Sequence, residues 1–470
     1  MSETHAGAPG VTLQRLPLGV FVGMTAVSLV GMIFVWAWYA ITDAKSLIAY
    51  FTGLFLLIAV ALVLLLQGRA WQMVVNMAPT ALLMIIFPII LDTLGQQTYM
   101  VLMVAITVPW ASSAAVMPVY APLVEQSRTD KAGFCFVFCR IWPIVTALSL
   151  LPLAFFTIVM YALTGNWSLE QIGLYVAGLM SNLIFAHSLV PAQETKRYTF
   201  VFAGWVFYAV GLLLLPNLWF VTPLLGVIPQ LVLMGSGLKG LFKPMGIELK
   251  TALAQTGYGF LTGSVLWADK FFLIALHPQD VDVLMVYVAL VPIVAALAVY
   301  YTSQYPVLQN SFQRLIKGVN ETPLNQLNND IAAARVSLVR SAVGTVSVAT
   351  FTGLGILLMS PWFGIHHNIL SLLLFVLPPI LLFFFLGVMQ LTQMQNFRQA
   401  ALCTGGYASF AAIAFIFSSL LPMDSFVAQA IGLSVTMMAA IGFSVLAILR
   451  IRAGVADAPY ELFWQKAVAW

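Results

Sequence analysis

Charge is what this chain lacks most. Only 8% of its 470 residues are Asp, Glu, Lys or Arg, against 61% hydrophobic ones, far below the roughly 25% charged content of a soluble domain. A water-soluble core with a polar shell is therefore excluded. Cysteine is nearly absent too: Cys135, Cys139 and Cys403 lie in or beside apolar stretches, which argues against a disulfide framework and leaves apolar structural thiols. No Gly-x-x-x-x-Gly-Lys-Ser/Thr phosphate loop is present, and no His, Cys or Glu cluster has metal-ligand spacing. ATP hydrolysis by that route, a bound metal and any other cofactor are not expected. The net charge of +4 comes without a basic-aromatic patch, so nucleic acid is not an expected partner.

What is present is a series of apolar stretches of about twenty residues, the length a helix needs to cross a hydrocarbon core of ~30 Å. About fourteen can be counted, roughly 17–41, 47–66, 71–94, 99–120, 137–163, 171–190, 198–215, 221–238, 252–276, 283–305, 342–359, 369–390, 400–421 and 427–449. Backbone groups in lipid must be paired internally, which leaves helices or a closed barrel, and these runs are too long and uniformly apolar for barrel strands. The fold class is therefore an all-α polytopic membrane protein. Apart from Lys45 and Lys270, every Lys and Arg falls in alternate connections on one side. By the positive-inside rule that side is cytoplasmic, as are both termini, and the expected location is the inner membrane. The opening apolar run exceeds a signal-peptide core and no A-x-A site follows, so it is expected to stay as a span.

Most connections are short, so the membrane part is the working part. The long one, about 306–341, carries Leu324, Leu327, Ile331, Ala334 and Leu338 at helical spacing. It reads as a helix resting against the bundle or the lipid headgroups, or as a docking surface for a cytoplasmic partner.

Ionisable residues inside the membrane are costly, ~2.5–3.5 kcal/mol on insertion scales, and need a partner, water or a function. Asp269 and Lys270 lie adjacent in the outer half of the ninth stretch. Gln255, Tyr258, Thr262 and Asp269 share one helical stripe, which reads as wet. Gly259-x-x-x-Gly263 and Lys270 lie on a neighbouring face, where the two glycines permit a close helix contact. Asp269 then faces a cavity while Lys270 reaches another helix or snorkels outward; a structural ion pair and a substrate or cation role both stay open. In the third stretch Asn76 and Thr80 flank Pro79, a site for a bend or hinge. Pro109, Pro292 and Pro378-Pro379 pose the same question. His187 is either a hydrogen-bonded packing residue or a proton carrier, and Arg140 snorkels to headgroups. An intramembrane enzyme needs a catalytic acid or histidine beside a substantial outer loop; Asp43, Asp92, Asp280, Asp282 and His366-His367 sit in short ones, so no enzymatic activity is expected.

Trp267-Ala268-Asp269-Lys270-Phe271-Phe272, followed by His277-Pro278 and a span with Tyr287-Val-Ala-Leu-Val-Pro292, resembles the Pel-type exopolysaccharide exporters (the PelG family), a branch of the MOP flippase superfamily. Asn329-Asp330 with Arg335 and the tail Tyr460-Glu461-Leu462-Phe463 are similar to that family as well. The resemblance implies a twelve-helix core in two six-helix lobes, residues 68–250 and 251–453, with the loop 306–341 in the second. Residues 1–67 would be two additional helices, and 454–470 a cytoplasmic tail. The third and ninth stretches would face each other across a central cavity. It further implies export of a hexosamine-rich polysaccharide made by a cytoplasmic glycosyltransferase, alongside membrane partners of a synthesis complex, one responsive to cyclic di-GMP. Leu327, Ile331, Arg335, Tyr460, Glu461 and Phe463 are the expected partner contacts. Asp269, Lys270, Tyr258, Thr262, Gln255, Asn76 and His187 are expected along the substrate path or at a coupling site, and Pro79 and Pro292 at hinges. Tyr300, Tyr301, Gln304 and Trp110 suit a polymer path or an aromatic belt. A cation-coupled drug antiporter or lipid-linked oligosaccharide flippase of the same superfamily, and a non-transporting scaffold for the synthase, are the alternatives.

Overall fold

Where the apolar runs fall among the described residues, the computed structural model has helices, and no strand occurs among those residues. The structure describes residues 97–123, 126–164, 167–277, 283–311, 324–359, 369–394, 396–422 and 424–467, with Arg314 and scattered positions between 72 and 94. The chain divides into two units, Met1–Gln67 and Gly68–Trp470. The two additional N-terminal helices expected over 17–66 lie outside the described residues.

Twelve helices are labelled here: α1 Thr98–Leu123, α2 Lys131–Leu148, α3 Leu150–Thr164, α4 Leu169–Glu194, α5 Tyr198–Leu214, α6 Pro223–Met234, α7 Leu249–Leu276, α8 Val283–Val299, α9 Leu324–Met359, α10 Ile369–Gln393, α11 Phe397–Leu420 and α12 Ser425–Ala467. Among the described residues ten helical segments are long and apolar enough to cross a membrane, and the shorter α5 fills the place of the expected span at 198–215. The protein is a multi-pass membrane protein. Its lipid-facing surface is apolar: Ile158, Phe351, Leu358 and Ile413 are all exposed, which an aqueous surface would not favour but hydrocarbon does. Of the third stretch, the described positions are helical, and Val75, Leu82, Ile86 and Ile90 are buried at spacings of seven and four, as one inward face requires.

Several boundaries differ from the sequence expectation. The stretch expected as one span over 137–163 is α2 followed directly by α3, broken at Ser149. Pro152 has no N–H to offer the Leu148 carbonyl, so the ladder loses a rung there. The connection expected over 306–341 is largely helical: helix continues from α8 to Ser311, and Leu324–Met359 is one helix of 36 residues in which the amphipathic stretch and the next span are continuous. Ala334, Leu338, Ser341 and Thr345 line its buried side while Arg335 is exposed and Ile331 half-buried. The expected tail is likewise the end of α12, 43 residues long, or ~64 Å at 1.5 Å per residue. That is twice what a bilayer core takes.

Helix starts are secured by their own side chains. Asp130 accepts from Gly133 N at the start of α2, Ser168 and Gln171 form a reciprocal capping box on α4, and Asn396 accepts from Gln399 N at α11. Helices α2 to α6 pack chiefly on one another and on α1, and α8 to α12 on one another and on α7, while α1 and α7 make their most extensive contact with each other and α7 touches α3. On the basic side the connections are tied together: Arg128 pairs with Glu194 at 2.9 Å, and Arg140 donates to the Lys243 carbonyl at 2.9 Å.

Candidate functional site

Helix α7 carries the site because it holds the buried Asp269 and Lys270 and, among the described residues, packs both on α1 and on α10 and α11. Its Gly259 and Gly263 face α1. A Cβ on Gly259 would fall on the Ser113 carbonyl oxygen, and one on Gly263 would stand 2.9 Å from the Trp110 ring and 3.0 Å from Ser113 Cβ. The close helix contact expected from Gly-x-x-x-Gly is therefore made, and α1 is the helix it is made with. Trp110 Nε1 donates to the Phe260 carbonyl at 2.8 Å. Its ring packs on Phe156, Phe260 and Phe271 at centroid distances of 5.0, 5.1 and 5.7 Å. These aromatic contacts seal the α1–α3–α7 seam, so Trp110 serves here as a packing residue.

Above this seam sit Asp269 and Lys270, both buried, at 0% and 1% exposure. Lys270 Nζ donates to both carboxylate oxygens, at 3.0 and 2.8 Å. The expectation that Asp269 faces a cavity while Lys270 reaches elsewhere is corrected: the two pair with each other. Adjacent helical residues point about 100° apart, so the pairing depends on the flexible four-carbon lysine stem bending back over its own helix. The result is a neutral unit in which the acid's oxygens are occupied by a tethered ammonium. Among the described residues these are the only buried Asp, Glu, Lys or Arg side chains.

The rest of the α7 stripe runs toward the basic side. Tyr258 is hydrogen-bonded to Thr392 of α10, and its ring meets Phe397 at 5.6 Å. Thr262 is buried and its hydroxyl meets only that of Tyr258, while the Gln255 side-chain oxygen has no partner. Three further buried groups, which sequence reasoning did not single out, extend this polarity. Gln390 Nε2 and the Tyr407 hydroxyl have no partner. Gln390 and Gln393 lie three apart on α10 and share a face, and the Gln393 amide meets the Tyr300 hydroxyl region of α8. Tyr407 packs on Phe384 at 5.4 Å and lies near Asp269. A buried donor or acceptor without a partner costs about 1–3 kcal/mol, so such a concentration marks a place for water or a polar ligand. The legible signal was two glutamines three apart in an otherwise apolar run.

His187 belongs elsewhere. It is fully buried on α4, with Nε2 at 2.9 Å from the Ala115 carbonyl and 3.3 Å from Ser149 Oγ, and it ties α4 to α1 and to the α2–α3 break. The structure does not bring it to the α7 stripe. Asn76 and Pro79 are helical and half-buried. Pro292 lies within an unbroken α8, beside Gly353 of α9. Leu327, Tyr460, Glu461 and Phe463 occupy helical backbone at the ends of α9 and α12. Among the described residues no group of His, Cys, Asp or Glu could hold a metal.

No protein-family model matches this chain, and no curated protein matches it. Solved structures do. The chain is similar to an inward-facing multidrug resistance MATE family transporter of the MOP superfamily, with 13% identity, 82% of this chain and 95% of that one covered, and a TM-score of 0.47. It is similar to a MATE protein in complex with MaD3S, at 14% identity over 82% and 94% with a TM-score of 0.47. A third is a MOP superfamily transporter from Pyrococcus furiosus described as having a binding pocket of reverse polarity, at 14% identity over 82% and 94% with a TM-score of 0.44. Its structural neighbours are thus MATE and MOP superfamily transporters at low identity, a level of likeness that leaves the substrate of this chain open.

Proposed function

We propose that this chain is an inner-membrane transporter that exports a hexosamine-rich, Pel-like exopolysaccharide, working with a cytoplasmic glycosyltransferase and membrane partners. The observation that carries this reading is the neutrality of the buried polar interior among the described residues. Asp269 is occupied by Lys270 at both oxygens, and the remaining buried polar groups of α7, α8, α10 and α11 are hydroxyls and amides. Such groups suit a polyhydroxylated, uncharged chain. An organic cation moving through hydrocarbon depth would call for an unpaired carboxylate. The residues that carry the resemblance, Trp267 to Phe272, are the centre of this arrangement, mostly buried at the seam and the ion pair. The exposed Arg335 on α9, and the length of α12 beyond the bilayer, suit partner docking on the basic side.

The second reading, a cation-coupled antiporter, draws on one observation: Asp269 is a fully buried carboxylate near the unpartnered Tyr407 hydroxyl. Deleting the gene in its host, and complementing with wild type or Asp269→Ala at matched membrane abundance, separates the two. The export reading expects secreted hexosamine polymer to vanish on deletion and return with wild type, with toxic-dye resistance unchanged. Unchanged polymer with increased dye sensitivity would replace it with the antiporter.

A further inference from the structure

We propose that the basic end of α8 builds a subsite for one acetamido-bearing pyranose unit of a neutral polysaccharide, an inference that rests on the export reading and says where the polymer is held. The element that makes it is a π-turn, Tyr300–Gln304, closed by Tyr305 N–H donating to the Tyr300 carbonyl. Residues five apart on an α-helix point about 140° from each other; the wider turn brings them to roughly 50°. Tyr300 and Tyr305 thereby share a side, with ring centroids 5.9 Å apart, and Tyr301 lies 5.2 Å from the first and 6.1 Å from the second. An uninterrupted α-helix would scatter these rings. Single π-turns recur at functional sites because they re-aim side chains at the expense of regular geometry.

The three tyrosines have different tasks. Tyr300 is locked in a core of Ala296, Ala349, Leu382 and Leu386, fully buried, and offers only its hydroxyl. That hydroxyl meets the Gln393 side-chain amide, and Gln390 adds an unpartnered, buried Nε2 from the same face of α10. Tyr301 is 37% exposed and Tyr305 is half-buried, so part of each ring is open to a ligand. A pyranose carries an apolar C–H face that stacks on an aromatic ring. An acetamido group offers one N–H and one C=O, the complement of a glutamine amide. Among the described residues the nearby ionic groups, Arg128 and Glu194, are paired with each other at 2.9 Å beside Tyr305, so an amine-bearing sugar or an organic cation finds no free counter-ion among them. The chemistry on offer is neutral stacking plus amide recognition.

The test measures binding to the purified full-length protein in lipid nanodiscs, with three probes: N-acetylglucosamine tetramer, its de-N-acetylated counterpart and ethidium. Wild type is compared with Gln393→Leu and Tyr301→Ala, and thermal melting confirms that each variant is folded. The expected result is that the N-acetylated tetramer binds best, that Gln393→Leu weakens it about tenfold and Tyr301→Ala about fivefold, with melting unchanged. Equal binding by wild type and both variants would overturn the subsite while leaving the export reading intact. Preferential, Tyr301-dependent binding of ethidium or of the amine form would overturn its assignment to a neutral sugar, as would no saccharide binding by wild type. Failure of the export reading itself shows separately, as unchanged polymer on gene deletion.

Discussion

Helices α1 to α6 and α7 to α12 arrange their buried polar residues differently. In the first group most close on partners: Tyr175 donates to Thr107 at 2.9 Å, Ser181 to the Phe220 carbonyl at 2.6 Å, Gln230 to the Phe200 carbonyl at 2.6 Å, and His187 Nε2 meets Ala115 and Ser149, while single atoms such as His187 Nδ1, Gln230 Oε1, Trp142 Nε1 and the Tyr99 hydroxyl stay without one. In the second group Gln390 Nε2 and the Tyr407 hydroxyl have no partner, while Thr262 and Gln393 meet only the hydroxyls of Tyr258 and Tyr300. Polar side chains in a membrane protein either lock helices together or stay available for water and ligand. The first group uses them mainly to lock helices, and the second gathers several weakly satisfied ones on α7, α10 and α11. Among the described residues α7 with α1 makes the extensive contact between the two, through glycines and aromatics toward α1, and α7 reaches α10 and α11 through polar atoms.

Four substitutions break or sharpen that comparison. Asp269→Asn strands a buried ammonium and should lower stability in detergent unfolding by about 3–5 kcal/mol, while Asp269→Asn with Lys270→Leu should recover most of it. A single variant as stable as wild type would mean that the pair is not closed. Next in size is Gly259→Ala, which places a methyl on the Ser113 carbonyl, backbone that cannot swing aside; ~1–3 kcal/mol should be lost, read as a lower melting temperature. His187→Leu, in the first group, removes a satisfied hydrogen bond and should cost about 1–2 kcal/mol without altering transport of a glycan. Gln393→Leu, in the second group, removes weakly satisfied atoms. Its melting temperature should be unchanged or slightly higher, within ~1 kcal/mol, while glycan binding falls. If His187→Leu and Gln393→Leu behave alike in both measurements, the contrast between the groups is wrong.

The sequence made the spans from α1 onward legible because twenty apolar residues in a row admit few other structures. It also made the Gly259–Gly263 contact legible, since only small residues let backbones approach so closely. Other features depend on things that hydropathy does not encode. The continuity of α9 and α12 beyond the apolar limit comes from helical propensity outside the bilayer, where polar residues mimic a loop in a hydropathy profile. Lys270 turned back onto Asp269 although neighbours on a helix point apart, because a long flexible stem overrides spacing. The π-turn at Tyr300 is a backbone event with no composition signature. Gln390 and Gln393 were passed over because isolated amides in an apolar run look like noise until a tyrosine from another helix is seen against them.

Flux into proteoliposomes holding the purified protein bears most directly on the central claim, that a neutral interior built around a self-paired Asp269 and Lys270 serves a neutral glycan. A fluorescent N-acetylhexosamine oligosaccharide and a cationic dye would be followed with and without proton and sodium gradients, for wild type and for Asp269→Asn with Lys270→Leu. The account predicts oligosaccharide flux in both proteins and no gradient-driven dye flux. Dye flux driven by either gradient and abolished in the double variant, with no oligosaccharide flux, would contradict it.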